Sequence, residues 1–395
     1  TESDIDGGRA IAGSPGDWGN GLNSGGAFIY DLASGQRERL LTATDGELND
    51  ALGIGVALGG GVALVGAPRD DDAGEDAGAV YVFDANTGVQ LDKLYASDPA
   101  PGDHFGAAID IDQGVAVVGA RFKDGALPAS GAAYLFDLAN GTQNRKITPD
   151  IEGYGALFGN SVAIDDGLVL VGARRTGSDP DGTLGRGAAF LFDVASGDQL
   201  EDLRPASVSV YSDFGAKVDL DAGLAVIGSS AGAPASNQPG GGAYLFDTLT
   251  GTEVLRYVPT QLRRTDNVSG VVAIDAGRAA VSSYDGGMKN LFSDATGAVY
   301  LFDAGLEQQP GDFNGDGRVD NTDLNLLLVH WGEAVPPRPE GWLGVAPSGP
   351  LVDNDELNAL LQVWGFGTSV AVPEPVSALL ILAAMVFPAI CRRAR

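Results

Sequence analysis

Apolar and polar positions along the chain follow one plan several times over. The segment FGAAIDIDQGVAVVGA (105–120) holds two apolar runs split by Asp112-Gln-Gly114. FGNSVAIDDGLVLVGA (158–173), FGAKVDLDAGLAVIGS (214–229) and the weaker LGIGVALGGGVALVGA (52–67) are built alike, with breaks at Asp166-Gly167 and Ala222-Gly223. Short apolar runs separated by such a break predict a hairpin. A third run follows in GAVYVFDANTG (78–88), GAAYLFDLANG (131–141), GAAFLFDVASG (187–197) and GAYLFDTLTG (242–251). GAFIYDLASG (26–35) and GAVYLFDAG (297–305) complete the set. A fourth run, such as VQLDKL (89–94) or DQLEDL (198–203), alternates apolar with charged positions.

The aromatic before the Asp of the third run marks the period. Tyr30, Phe83, Phe136, Phe192, Phe246 and Phe302 are 53, 53, 56, 54 and 56 residues apart. Six units of four short antiparallel strands predict a mainly β fold, a β-propeller of four-stranded blades over 1–305. The second and third runs are apolar at almost every position and are expected to be buried on both faces. The charged fourth run is expected at the outer edge. Gly66, Gly119, Gly172 and Gly228 close the second run, and Gly78, Gly131, Gly187 and Gly242 open the third. They are expected where blades crowd toward the axis and leave no room for a Cβ. The first unit starts at IDGGRAIAGS (5–14), where the second strand belongs, and shows no Phe-Gly strand. Residue 1 is Thr, so the chain reads as a fragment or a processed form, with room for a seventh blade upstream.

The pairs Phe105-Gly106, Phe158-Gly159 and Phe214-Gly215, with Gly66-Ala67-Pro68, Gly119-Ala120 and Gly172-Ala173, resemble the FG-GAP repeats of the integrin α head. That resemblance implies a propeller over roughly 1–305. Integrin-type repeats carry an Asp/Asn-rich calcium loop between these two elements. Here the connection is a tight turn such as Asp110-Ile-Asp112-Gln-Gly114, so no calcium is expected in the blades. The acidic run Asp70-Asp71-Asp72, with Glu75 and Asp76, lies in another loop. It reads as a solvated loop, with a weak cation site as the alternative.

Charge and rare residues narrow the chemistry. With 53 Asp and Glu against 24 Lys and Arg, the formal charge is −29, which argues against nucleic acid. A single Cys, Cys391, rules out an internal disulfide, and a Cys/His zinc site has too few ligands. A catalytic triad would need one of two histidines, His104 or His330. Both read as ordinary structural or surface residues.

Composition changes after Gly305. In GDFNGDGRVDNTDLNLLLVHWG (311–332), Asp312, Asn314, Asp316, Asp320 and Asp323 alternate around Gly317. Together with the Arg318 carbonyl they form an oxygen set suited to calcium, which takes six to eight oxygens. Leu324, Leu327, Leu328 and Trp331 then make one helical stripe. The pattern returns 33 residues later, where Leu360, Leu361, Trp364 and Gly365 match Leu327, Leu328, Trp331 and Gly332. Two such loop-helix units are expected to pack stripe to stripe. This duplication over 306–367 resembles the EF-hand-like dockerin module, which implies a cohesin-like partner. The second copy has Val345, Pro347 and Gly349 in place of Asp312, Asn314 and Asp316 and keeps only Asp353 and Glu356. One calcium ion is therefore expected, in 312–323.

The end of the chain, 368–395, has Pro373-Glu374-Pro375, an apolar run Val376–Cys391 expected to be helical, and Arg392, Arg393 and Arg395. As a helix the run reaches about 24 Å, short of a hydrocarbon core of about 30 Å. The order resembles the PEP-CTERM sorting signal. That implies an exosortase-type enzyme as partner, transient membrane insertion of 376–391, and delivery to the bacterial envelope or extracellular matrix. The chain is thus expected to be a non-enzymatic exported surface or matrix protein whose propeller takes an unknown protein or polysaccharide. The alternatives are a dockerin-bearing component of a carbohydrate-degrading assembly and, least favoured, a quinoprotein-like enzyme. The latter rests on the Asp-x-x-Thr-Gly element at Asp84–Gly88.

Overall fold

A computed structural model describes residues 2–16, 24–150, 155–176, 185–205, 213–229, 242–257, 266–275, 277–285, 297–303, 313, 321–331, 352, 357 and 360. The chain divides into two compact units, Thr1–Ala304 and Gly305–Arg395.

The first unit is a six-bladed β-propeller. Blade one is β1 (Ser3–Asp6), β2 (Arg9–Gly13), β3 (Ala27–Asp31) and β4 (Gln36–Leu41). Blade two is β5 (Val56–Gly59), β6 (Val62–Ala67), β7 (Ala79–Asp84) and β8 (Gln90–Leu94). Blade three is β9 (Phe105–Asp112), β10 (Val115–Ala120), β11 (Ala132–Asp137) and β12 (Thr142–Ile147). Blade four is β13 (Phe158–Asp165), β14 (Leu168–Ala173), β15 (Ala188–Asp193) and β16 (Gln199–Leu203). Blade five is β17 (Phe214–Asp221), β18 (Leu224–Ser229), β19 (Gly242–Asp247) and β20 (Thr252–Tyr257). Blade six has β21 (Asp266–Asp275), β22 (Arg278–Asp285) and β23 (Gly297–Asp303) among the described residues. Every sheet is an antiparallel meander in chain order. The first unit has a first strand after all: β1 pairs with β2 from Ser3↔Ala12 to Asp6↔Arg9. Its lack of Phe-Gly concealed it.

Local chemistry accounts for the meander. The turns from first to second strand have two central residues with positive φ: Gln113 (46°) and Gly114 (80°), Asp166 (43°) and Gly167 (79°), Ala222 (46°) and Gly223 (78°). Two left-handed central residues give the turn twist that matches flanking strands. The turns from third to fourth strand are closed by the Asp that ends the third strand. Asp84 Oδ1 accepts the N–H groups of Asn86 and Thr87, and Asp247 Oδ1 those of Leu249 and Thr250.

The core lies between blades. Phe105, Phe158 and Phe214 are fully buried. Each meets the aromatics of its own blade's third strand edge-on or tilted, Phe105 against Tyr134 and Phe136 at 5.5 and 5.8 Å. The glycine after each Phe explains the second half of the motif. A Cβ on Gly119 would stand 2.1 Å from the Gly159 carbonyl oxygen of the next blade, and one on Gly172 2.1 Å from that of Gly215. Crowding between neighbouring blades therefore leaves no room for a Cβ at these glycines, as the sequence predicted. Second and third strands are buried along nearly their whole length, whereas β12 is exposed at four of six positions.

The second unit contains α1 (Asn321–Val329). Leu324 and Leu327 are buried in one cluster with Phe313, Val352, Leu357 and Leu360. Leucines of the two sequence copies thus pack together. Leu328 departs from the expected stripe and is 38% exposed. It lies at the edge of the face centred on Leu324, Leu327 and Trp331. Among the described residues no helix is long and apolar enough to cross a membrane.

Candidate functional site

The six first strands run side by side around the axis. One position of these strands alternates in the sequence: Asp4, Ala57, Asp110, Ala163, Asp219, Ala273. Their partners on the second strands, Ile11, Leu64, Val117, Leu170, Val226 and Ala280, confirm the common register. Each Asp binds two backbone N–H groups. Oδ1 accepts from the following residue, Ile5, Ile111 or Leu220, at 2.7, 2.8 and 3.0 Å. Oδ2 reaches over the Ala of the next blade to accept from Leu58, Ile164 or Ile274, at 2.7, 2.8 and 2.7 Å. Alanine at the intervening blades makes room for this reach and keeps three carboxylates at the level where six would repel.

Burial raises the affinity of these groups for protons against the pull of their backbone donors. Asp219 is pushed up to about 7, chiefly by desolvation, with the Asp221 and Asp4 charges adding to it. Asp110 is raised well above the usual carboxylate range by burial, with Asp4 and Asp219 contributing. Asp4 is also raised, again mainly by burial. All three carboxylates thus hold a proton more readily than a free aspartate does. Across the axis, Lys217 of blade five pairs with Glu2, just before β1, at 2.7 Å. Sequence reading missed this arrangement. The signal was present as the strict Asp/Ala alternation once the six units are aligned on their second strands.

The acidic run in blade two is exposed at Asp71, Asp72 and Glu75, as a solvated loop would be, but Asp70 is drawn into the blade. Asp70 is 2% exposed and receives Lys93 Nζ at 2.8 Å and the Tyr81 hydroxyl at 2.9 Å. Lys93 also binds Asp45 at 2.9 Å and Asp72 at 2.7 Å. Its ammonium lies over the Tyr81 ring at 4.7 Å. Burial alone would make Lys93 easier to deprotonate. The bonds to Asp70, Asp72, Tyr81 and Asp45 outweigh it and hold the proton more tightly than usual. The same cross-strand pairing of a third-strand Tyr with a fourth-strand cation recurs as Tyr134 with Lys146 and Tyr244 with Arg256.

Of the predicted calcium ligands, Asp312, Asn314, Asp316, Arg318 and Asp320 lie outside the described residues. Asp323 lies in the first turn of α1, and its side chain is outside them too. Pro373, Glu374, Pro375 and the run 376–391 are likewise outside. Among the described residues, no group of three or more His, Cys, Asp or Glu is arranged to hold a metal ion.

Residues 36–83, 89–136 and 142–192 match the FG-GAP repeat. Each match opens on the outer strand of one blade and ends on the third strand of the next, so the sequence unit is staggered against the blade. No curated protein matches the chain. Among solved structures, the chain is similar to Kuenenia stuttgartiensis hydrazine synthase, at 15% identity and a TM-score of 0.45, over 70% of this chain and 75% of that one. The chain thus carries FG-GAP repeats, three of them matched between residues 36 and 192, within a propeller of six blades.

Proposed function

We propose that this is a non-enzymatic, exported surface or matrix protein whose propeller is a scaffold for binding another macromolecule. The FG-GAP repeats carry this reading, because they build a rigid ring whose inter-blade loops are free to vary. The framework's own polar groups are largely taken up by structure. The Asp84 element that resembles quinoprotein repeats spends its carboxylate on closing a turn. In the same proposal, 306–367 is a dockerin-like module holding one calcium ion through Asp312, Asn314, Asp316, Asp320, Asp323 and the Arg318 carbonyl. The tail from Pro373 is a PEP-CTERM-type address read by an exosortase-type enzyme. The test is binding of the purified full chain to an array of bacterial envelope glycans and to envelope protein extracts. Saturable binding that survives removal of 373–395 supports the scaffold; a folded chain that retains nothing from either source rejects it.

A further inference from the structure

The face of the propeller where the second strands end carries an unbalanced group of cations. Arg121 follows β10, Arg174 follows β14 and Arg69 follows β6, in three successive blades. Arg121 is less basic than a free arginine, first because it is desolvated, then because Arg174 and Arg69 stand near; Glu2 is the one acid acting on it. Glu2 is engaged by Lys217. The Nε atoms of Arg121 and Arg174 are both shut away from solvent without a hydrogen-bond partner among the described residues. In a chain with more than twice as many acids as bases, cations left facing one another, with buried donors unused, are an arrangement that folding alone disfavours.

An aromatic ring and an imidazole stand beside the group. The Arg121 guanidinium lies 5.0 Å from the centre of the Phe122 ring. His104 meets the same ring edge-on at 4.9 Å. Phe122 is 36% exposed, so an aromatic edge with a cation on one side and an imidazole on the other is open to solvent. His104 is less basic than usual through burial first, then through the Arg121 and Arg69 charges, against the pull of Asp76 and Asp103. Asp103 is itself paired with Lys123 at 2.9 Å.

We propose that Arg121 and Arg174, with Arg69 beside them, form a binding site for an oxyanion, a carboxylate or a phosphate or sulfate group. Guanidinium forks match such groups through paired N–H donors. A bound anion would offset the repulsion among the three cations, meeting them from the side where Arg69 is exposed and Arg121 and Arg174 are half-buried. The inference deepens the scaffold reading by naming the ligand's chemistry, and its test requires no partner.

His104 is a native reporter, and His330, in the other unit, is the chain's only other imidazole. The full chain is titrated at constant ionic strength near 0.15 M with inorganic phosphate or with citrate, against chloride, while imidazole C–H signals are followed by proton NMR at about pH 6.5. The expected result is a saturable movement of the His104 signals toward the protonated position and a rise in Tm. The variant R121Q/R174Q should weaken that response at least tenfold from its own baseline while melting no lower than the parent. Response to phosphate alone assigns a phosphate or sulfate ester; response to citrate alone assigns a carboxylate. Movement no greater than with chloride, or an undiminished response in the variant, overturns the site. A chain that passes this test but captures no macromolecule loses the scaffold reading only.

Discussion

The Oδ2 of Asp219 accepts the backbone N–H of Ile274 at 2.7 Å, joining the first strand of blade five to that of blade six. The same contact joins blades one and two through Asp4 and Leu58, and blades three and four through Asp110 and Ile164. Between blades four and five, the Ser161 hydroxyl accepts from Val218 and Asp165 accepts from Ala222. The Asp contact thus recurs at alternate seams of the ring.

Asp219 should make stability fall as pH rises. Its folded pKa of about 7 stands above the ordinary carboxylate value of 3.8. The folded chain therefore holds a proton that the unfolded chain has released. The stabilisation is complete below pH 3.8 and is lost as pH climbs through 7. Asp219→Asn cannot ionise, so its stability relative to the parent should grow between pH 5 and pH 8, by on the order of 2 kcal/mol after allowance for solvent. Urea unfolding of both proteins at the two pH values measures the difference. A constant difference would show that Asp219 does not titrate in this range.

Gly119→Ala should be far costlier than Gly114→Ala. The first places a Cβ 2.1 Å from the Gly159 carbonyl oxygen, where only separation of two blades makes room. A loss of about 3 kcal/mol is expected. At Gly114 a Cβ meets nothing within 4 Å, and the penalty comes from its φ of 80°, about 1–2 kcal/mol. Denaturant midpoints that rank the two variants the other way would remove inter-blade contact as the reason for this glycine.

The sequence disclosed what repeats and concealed what is contributed by a distant strand. Blade number follows from the 53- to 56-residue repeat, and strand order, the Gly turns and the exposed fourth strand follow from patterns of a few residues within it. The fate of Asp70-Asp71-Asp72 does not. Asp70 reads as solvated along with its exposed neighbours until Lys93, on the outer strand of the same blade, is seen to pair with it and with Asp72. His104 looked unremarkable because its neighbours Arg121 and Phe122 come from a different connection of the ring. The crowding partner of Gly119 was not legible for a similar reason, since Gly159 belongs to the next blade.

Calcium should bind once. Asp312, Asn314 and Asp316 have no oxygen-bearing counterparts at Val345, Pro347 and Gly349. A loop without those oxygens cannot replace the water around a hard cation. Calorimetry on the metal-stripped full chain is expected to give one ion per chain, and Asp316→Ala to abolish the event. Two equal binding events, or one that survives Asp316→Ala, would place the ion elsewhere.

Lys93→Met should be among the most damaging single changes in the propeller. Lys93 neutralises Asp70, which is 2% exposed and also bound to the Tyr81 hydroxyl. Without the ammonium, Asp70 must either stay charged in a buried place or take up a proton. Either route destabilises by about 3–5 kcal/mol. Lys146→Met is the control, because Lys146 occupies the same cross-strand position in blade three. There the partner Asp98 is 46% exposed, and Lys123 lies 3.7 Å away. Solvent and Lys123 together can take over from Lys146, so a loss of about 1 kcal/mol or less is expected. The double variant Lys93→Met with Asp70→Asn distinguishes the two ways Lys93 could matter. If the damage comes from a stranded buried charge, removing that charge restores most of the stability, although Lys93 is still absent. If it comes from lost packing of the Lys93 stem between Tyr81 and Tyr95, the double variant melts no higher than the single one. Thermal melts of the four proteins decide the matter, and rescue is the expected outcome.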